Sequence, residues 1–246
     1  MIQEVKIINT DIIFGRNPVI EALKSGAEID TIFISGEVRG TIGVICAMAK
    51  EKGIPVKDVN PKKLDLLSEG GAHQGVVAEL AFTAYLTLDE LLELQPKHEN
   101  RYIYVLCDEI EDPHNLGAII RTAECINADG IIIPKRRSAS INSTVFKTSA
   151  GACAQLPIAR VTNLASALEK LKSQNIWIYG ADMDGTDYRK IDFSGNICLI
   201  IGNEGKGISK LLKKKCDALV SIPMYGKINS LNASVAAGIL MYAIQV

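Results

Sequence analysis

From residue 101 onward, the chain alternates short apolar runs with amphipathic helical patterns. The apolar runs predict strands at 102–108, 130–134, 156–160, 177–181, 197–202 and 218–222. Apolar spacings of three and four predict helices at 116–127, 143–152, 164–173, 208–215 and 231–244. Because the strands are almost continuously apolar and helices separate them, the pattern predicts a mostly parallel α/β sheet covered on both faces.

The first 82 residues predict a smaller, separate α/β domain. A helix is expected to begin at Pro18 with Asn17 as its N-cap and to end at Gly26. Further patterns predict strands at 31–35, 56–59 and 76–82 and helices at 41–51 and 61–67. The polar segment before residue 101 is broken by proline, which indicates a boundary. We therefore expect a domain at 1–82, a linker at 83–100 and a second domain at 101–246.

Composition narrows the classes of protein. With 246 residues, 48% hydrophobic and 22% charged, the chain is typical of a folded globular protein. No apolar run reaches the ~20 residues of a membrane span, and the first residues lack the pattern of a signal peptide. The six cysteines include no C-x-x-C pair and there are three histidines, so we expect free thiols, no metal and a cytoplasmic location.

One polar loop follows the strand at 102–108 and leads into a helix. Asn115 is suited to cap that helix. Arg121 lies among apolar helical neighbours, and an unpaired charge buried there is costly. Its partner is then either a nearby carboxylate or an anionic ligand held in bidentate geometry.

Two more loops are richer in polar groups and glycine than packing requires. The loop 202–207, GNEGKG, matches neither phosphate-binding glycine motif, and Glu204 would repel a phosphate. It suits either a plain turn or a cationic or hydroxyl-bearing ligand. In the loop 222–232, Asn229 or Ser230 is placed to cap the last helix, and Asn232 follows them. A ligand at that helix N-terminus is the alternative.

Together the three loops resemble the motifs of the SpoU (TrmH) branch of the SPOUT methyltransferases. The motifs read NLGAIIRTA from Asn115, LIIGNEGKGIS around Gly202, and IPMYGKINSLNASVA from Ile222, in the order of the family. They cover roughly residues 100–246. Residues 1–80 resemble the substrate-binding domain of the larger members, which is similar to ribosomal protein L30e, through FGRNPVIEAL and HQGVVA.

This resemblance implies a C-terminal trefoil-knotted, mostly parallel α/β sheet of the SPOUT type, with a small L30e-like α/β N-terminal domain. It implies a homodimer that methylates a ribose 2′-hydroxyl of RNA with S-adenosylmethionine. The implied catalytic residues are Asn115, Arg121, Glu204, Ser230 and Asn232. The implied cofactor-binding residues are Gly180, Ala181, Gly202, Asn203, Gly205, Ile222, Met224, Ser230 and Leu231. The expected RNA-binding residues are Arg16, Asn17, His73 and Gln74, with Lys135 and Arg136 from a basic loop.

In the implied reaction, positioning does most of the work of an in-line methyl transfer. Arg121 stays protonated, so we expect it to hold an RNA phosphate and stabilise developing negative charge. Ser230 and Asn232 would orient Arg121 or the ribose, and Glu204 would shape its loop. A guanosine of large-subunit (23S) rRNA is the expected target. The alternatives are tRNA, an adenosine target as in thiostrepton-resistance enzymes, and an RNA-binding protein without activity.

Overall fold

The computed structural model describes residues 12–36, 38–81, 84–99 and 101–245. Contacts divide the chain into two compact units. Unit 1 comprises Met1–Phe82 with Ser140–Ser143, and unit 2 comprises Thr83–Ala139 with Thr144–Val246. The predicted strand end at Phe82, the linker ends at Thr83 and Asn100, and the first eleven residues lie outside the described residues.

Unit 1 is a four-stranded mixed sheet with helices. Its strands are β1 (Ile12–Phe14), β2 (Ile29–Ile34), β3 (Val56–Asp58) and β4 (Val76–Leu80), in the order β1-β4-β2-β3. Its helices are α1 (Arg16–Ser25), α2 (Thr41–Glu51) and α3 (Pro61–Leu67). Successive strand residues face opposite sides. Ile32 therefore packs in the core of α1 and α2, whereas Phe33 packs with Leu64 of α3.

The predicted bounds of α2 and α3 are confirmed, and the start of α1 is not. Gly15 precedes α1 with φ of 92°, and it provides no side-chain cap. Asn17 lies inside the first turn, so its predicted role as N-cap was wrong. The predicted helix end is confirmed, because Gly26 adopts the left-handed conformation at φ of 77°. The edge strand β1 was missed because three residues carry too little periodicity.

Unit 2 contains a six-stranded sheet in which every pairing is parallel. Its strands are β5 (Ile103–Asp108), β6 (Gly130–Pro134), β7 (Ile158–Val161), β8 (Trp177–Asp187), β9 (Ile197–Gly202) and β10 (Ala218–Ser221), in the order β10-β8-β9-β5-β6-β7. Its helices are α4 (Leu88–Leu92), α5 (Pro113–Cys125), α6 (Ser143–Thr148), α7 (Leu164–Ser173), α8 (Lys210–Lys213) and α9 (Ala233–Gln245). The predicted parallel α/β sheet is confirmed.

The segment 83–100, expected to be a linker, contains α4. Leu91 of this helix is completely buried in the core of unit 2. A Cβ placed on Gly130, at the start of β6, would lie 2.6 Å from Cδ1 of Leu91. Hydrophobic periodicity identifies the apolar residues of this segment. It does not show that they are buried, because the burial of Leu91 depends on its contact with Gly130, which is distant in sequence.

Strand β8 is longer than expected and leaves the ladder before it returns. Leu219 of β10 pairs with Gly180, and the next residue, Val220, pairs with Thr186. Residues 181–185 therefore bulge away from β10. Gly185 allows the close return, since a Cβ there would lie 2.5 Å from the carbonyl carbon of Leu219. The bulge turns the end of this strand into part of a cavity wall.

Candidate active site

A cavity of about 370 Å³ lies where β8, β9 and β10 approach their carboxyl ends. Its walls are the bulge of β8, the loop 202–207 after β9, and the loop 222–232 with the start of α9. Ligands of parallel α/β sheets bind at this end of the strands. The volume is within the ~300–1,000 Å³ that small-molecule sites occupy.

The loop after β9 is held by Asn203. The Oδ1 atom of Asn203 accepts hydrogen bonds from the backbone N–H groups of Gly205 and Lys206, at 3.0 and 3.2 Å. Its Nδ2 donates to the carbonyl oxygen of Glu109 at 3.0 Å. A Cβ on Gly202 would lie 2.3 Å from the carbonyl carbon of Gly207, so the loop closes on itself only with glycine there.

A chain of side-chain hydrogen bonds joins the three motifs. The Nδ2 atom of Asn115 donates to Oε1 of Glu204. The Oδ1 atom of Asn115 accepts from Nδ2 of Asn232 at 2.9 Å. Asn115 is 8% exposed and Glu204 is exposed, so the chain runs from α5 to the cavity surface. Three residues that are distant in sequence thus meet at one edge of the sheet.

The helix starts in this region are capped by residues other than those expected. Asp112 caps α5, since its Oδ1 accepts from the N–H of His114, and Asn115 lies inside the helix. Asn232 caps α9, since its Oδ1 accepts from the N–H groups of Ser234 and Val235 at 2.9 and 3.3 Å. The predicted caps at Asn115 and at Asn229 or Ser230 were therefore wrong. The geometry of the preceding turn determines which residue caps each helix, and hydrophobic periodicity does not encode that geometry.

Arg121 lies on the exposed face of α5. The expectation that it is buried among apolar neighbours was wrong, because Ile119, Ile120 and Ala123 turn toward the core and Arg121 turns away. Within the described residues its guanidinium has no hydrogen-bond or ion-pair partner, and it does not line the cavity. Its fork of donors is free for an external anion.

Most of the expected cofactor-binding residues line the cavity. They are Ala181, Gly202, Asn203, Gly205, Ile222, Met224, Ser230 and Leu231. Gly180 does not, because it packs behind the wall, where a Cβ would lie 2.7 Å from Sγ of Cys216. Four charged residues that also line the cavity, Asp182, Asp184, Lys206 and Lys213, were not among the expected site residues. The polar run 182–186 after the strand was the available signal for the first two.

A further contact ties the bulged strand to the loop 222–232. Arg189 pairs with Asp187 at 2.6 Å, and its guanidinium also donates to the hydroxyl of Tyr225 at 3.2 Å. The hydrogen bonds from Arg189 hold the pKa of Asp187 below its usual value. Ser221, the last residue of β10, donates to the carbonyl oxygen of Gly185 at 2.9 Å and so holds the bulge against β10.

The expected RNA-binding residues of unit 1 are neighbours. The backbone N–H of Arg16 donates to Oε1 of Gln74 at 3.2 Å, and its Nε donates to the carbonyl oxygen of Gln74 at 3.1 Å. Asn17 follows Arg16, and His73 contacts Asp65 through Nε2 at 3.1 Å. In unit 2, Lys135 and Arg136 lie in the loop after β6, with Arg136 exposed.

Two classes of site find no support in the part of the chain that the structure describes. Its histidine, cysteine, aspartate and glutamate residues form no group of three or more that could hold a metal ion. None of its helices is long and apolar enough to cross a membrane. The polar groups that line the cavity are carboxylates, amides, lysines, a serine hydroxyl and backbone groups.

Comparison with known families decides the assignment. The model of the SpoU rRNA Methylase family matches residues 102–242. This chain belongs to the SpoU family. A second model, RNA 2′-O ribose methyltransferase substrate binding, matches residues 12–86. The two matches correspond to the methyltransferase sheet and to the smaller N-terminal unit, so the chain is an RNA methyltransferase of the SpoU (TrmH) family.

Relatives and solved structures agree with this assignment. YacO of Bacillus subtilis, named as a TrmH family tRNA/rRNA methyltransferase, is 45% identical over 95% of this chain and 94% of its own. The SpoU methyltransferase AviRb of Streptomyces viridochromogenes, solved with AdoMet, has a TM-score of 0.60 at 26% identity, covering 95% of this chain and 88% of its own. An AdoMet-bound rRNA methyltransferase of Sinorhizobium meliloti has a TM-score of 0.58 at 28% identity, covering 95% and 86%.

Proposed function

We propose that this SpoU-family enzyme transfers the methyl group of S-adenosylmethionine to a ribose 2′-hydroxyl of a guanosine in large-subunit (23S) rRNA. The observation that carries the proposal is the hydrogen-bonded chain of Asn115, Glu204 and Asn232 at the edge of a cavity built by the family's motifs. When bound, the cofactor supplies an electrophilic methyl group on a sulfonium centre.

The cavity fits such a cofactor by its donor set. The backbone of the loop 202–207 offers N–H and C=O groups, and Leu231, Ala236 and Leu240 offer an apolar surface. No side chain fills the space beside Gly207, where a Cβ would meet nothing within 4 Å. Carboxylates on the wall favour a cationic ligand over a nucleotide phosphate. Gly202, Asn203, Ser230 and Leu231 are proposed to hold the cofactor.

The residues outside the cavity are proposed to act on the RNA. Arg121 is exposed and unpaired within the described residues, so it is free to bind an RNA phosphate and stabilise charge developing at the ribose oxygen. Asn115 fixes the carboxylate of Glu204, and Asn232 fixes Asn115, which keeps this edge of the site in one arrangement. Ser230, beside the cavity, is proposed to orient the ribose.

The choice of rRNA rests on the smaller unit. The substrate-binding family model covers residues 12–86, and the Sinorhizobium meliloti rRNA methyltransferase aligns over 95% of the chain. Arg16, Asn17, His73 and Gln74 are proposed to contact RNA there, with Lys135 and Arg136 contributing from the methyltransferase unit. Because the name of YacO includes tRNA as well as rRNA, tRNA is the second candidate substrate.

A homodimer with a knotted C-terminal segment is part of the proposal. Large apolar side chains are exposed on one face of α9 and the loop before it, among them Val235 at 50% and Tyr242 at 54%. Such exposure is typical of a surface that another chain covers. The six free cysteines agree with a cytoplasmic location, where RNA substrates occur and thiols stay reduced.

Mapping of 2′-O-methyl groups tests the substrate. Comparison of rRNA and tRNA from cells with and without the protein should show one guanosine of 23S rRNA that loses its methyl group. A lost methyl group in tRNA, or on an adenosine, would replace the proposed target with one of the alternatives. No change in any RNA, together with no transfer from labelled cofactor to total RNA, would favour a binding protein without activity.

Replacement of Arg121 tests the mechanism. Arg121→Ala should fold and bind S-adenosylmethionine as the wild type does, because the side chain is exposed and outside the cavity. Its rate of methyl transfer should fall about 100-fold or more, the usual cost of removing a group that stabilises developing charge. Lys210→Ala removes an exposed charge from α8 and serves as the control. Wild-type turnover by Arg121→Ala would contradict the assigned role.

A further inference from the structure

The cavity contains an ion pair that lies outside the three motifs. The side chain of Asp182, on the bulge of β8, is 5% exposed. Its Oδ2 pairs with Nζ of Lys213, the last residue of α8, whose side chain is 32% exposed. Its Oδ1 accepts from the N–H of Asp184 at 3.2 Å. Both members of the pair line the cavity.

The bulge near the carboxyl end of β8 places Asp182, and with it the ion pair, at the cavity wall. Gly180 and Thr186 pair with consecutive residues of β10, so Asp182 lies in the segment that the ladder excludes. A central strand would otherwise turn that side chain into the apolar core, where an aspartate is costly. The ladder resumes at Thr186, which fixes both ends of the bulge and keeps the carboxylate at the cavity.

The two members of the pair differ in what they can still bind. Both oxygens of Asp182 already accept, one from Lys213 and one from Asp184. An ammonium has three N–H donors, and within the described residues Asp182 is the partner of Lys213. The partly exposed ammonium of Lys213 therefore retains N–H donors for an anionic group of a ligand in the cavity. Lys206, the other lining lysine, is exposed.

We propose that Lys213, positioned by Asp182, binds the carboxylate of the amino-acid part of S-adenosylmethionine. This inference rests on the proposed function, since it assumes that this cofactor occupies the cavity. The carboxylate is the anionic group of that molecule, and Lys213 is the partly buried cation of the wall. The contact makes the enzyme selective for cofactors that carry the carboxylate.

Calorimetric titration of the full chain with two cofactors tests this contact without any turnover. S-adenosylmethionine and its decarboxylated form differ in the carboxylate, so their affinity ratio reports the proposed contact. Lys213→Met should weaken binding of S-adenosylmethionine about tenfold, the size of one charge-assisted hydrogen bond. Lys213→Met should leave the affinity for the decarboxylated cofactor within about twofold of the wild-type affinity.

Two further variants sharpen the test. Lys214→Met removes the adjacent exposed lysine, which does not line the cavity, and should change neither affinity. Lys213→Arg keeps a cation at the wall and should retain the preference for S-adenosylmethionine over its decarboxylated form. This variant still tests the contact if Lys213→Met folds poorly. Equal losses for both cofactors in Lys213→Met, or no loss for either, would overturn the inference. A wild-type chain that binds neither cofactor would instead overturn the proposed function.

Discussion

The hydrogen bond from Asn115 to Glu204 offers a quantitative test of the site, because mutation can exchange its donor and its acceptor. Asn115→Asp replaces the donating amide with a carboxylate oxygen of the same shape. The loss of a hydrogen bond to a charged group costs about 1.5–3 kcal/mol. Two like charges ~4 Å apart add about 1 kcal/mol in a water-like environment and about 4 at an effective dielectric constant of 20.

The exposure of Glu204 selects the lower part of that range, because solvent screens the repulsion. Asn115→Asp should therefore lower the free energy of unfolding of unit 2 by about 3 kcal/mol. Asn232 still donates to the oxygen at position 115, so the second hydrogen bond of the chain survives.

The reciprocal change should restore the contact. In Asn115→Asp combined with Glu204→Gln, the amide of the new glutamine donates to the new aspartate. Glu204→Gln alone should cost about 1 kcal/mol, since Asn115 then donates to a neutral oxygen. The double variant should be more stable than the sum of the two single changes predicts, by about 2 kcal/mol. We expect it to recover stability without activity, because the charge has moved from the loop to α5.

Urea unfolding followed by tryptophan fluorescence measures these energies. Trp177 is the single tryptophan of the chain and lies in β8, so it reports on unit 2. Asn229→Asp, which adds a charge at the cavity rim, is the control and should change stability by less than about 0.5 kcal/mol. Additivity of the two single changes to within about 0.5 kcal/mol would refute the contact.

Two further predictions follow from packing and burial. Gly202→Ala should destabilise unit 2 by about 1–3 kcal/mol, since its Cβ would overlap the backbone of Gly207, whereas Gly205→Ala, with 3.6 Å of clearance, should be neutral in the same urea assay. Burial raises the pKa of the Cys107 thiol from 9.0 to about 12. The stabilisation from keeping this thiol neutral is complete below pH 9 and is lost as the pH rises toward 12. Between about pH 8 and about pH 10, the free energy of unfolding of Cys107→Ala should therefore fall by about 1.4 kcal/mol less than that of the wild type. The same pH dependence of the free energy of unfolding in Cys107→Ala and wild type would contradict the raised pKa of Cys107.

The amino-acid pattern was enough to predict the parallel α/β sheet and the family. Continuous apolar strands separated by amphipathic helices can bury both faces of a sheet in one way, as a parallel layer covered by helices. The three motifs depend on local chemistry, such as the glycine at position 202 and the amide at position 232, and these are visible as letters. Asn115, Glu204 and Asn232, expected to act together, are joined by hydrogen bonds in the structure.

The exposure and the partners of individual side chains depend on the tertiary packing. Arg121 has apolar neighbours in sequence, yet a helix turns successive residues about 100° apart, and the packing of α5 leaves this one exposed. The cap of α9 is Asn232 and not Asn229 or Ser230, because the helix begins at Ala233. The pair of Asp182 and Lys213 joins the bulge of β8 to the end of α8. Such a contact depends on the register between two strands, which no local pattern encodes.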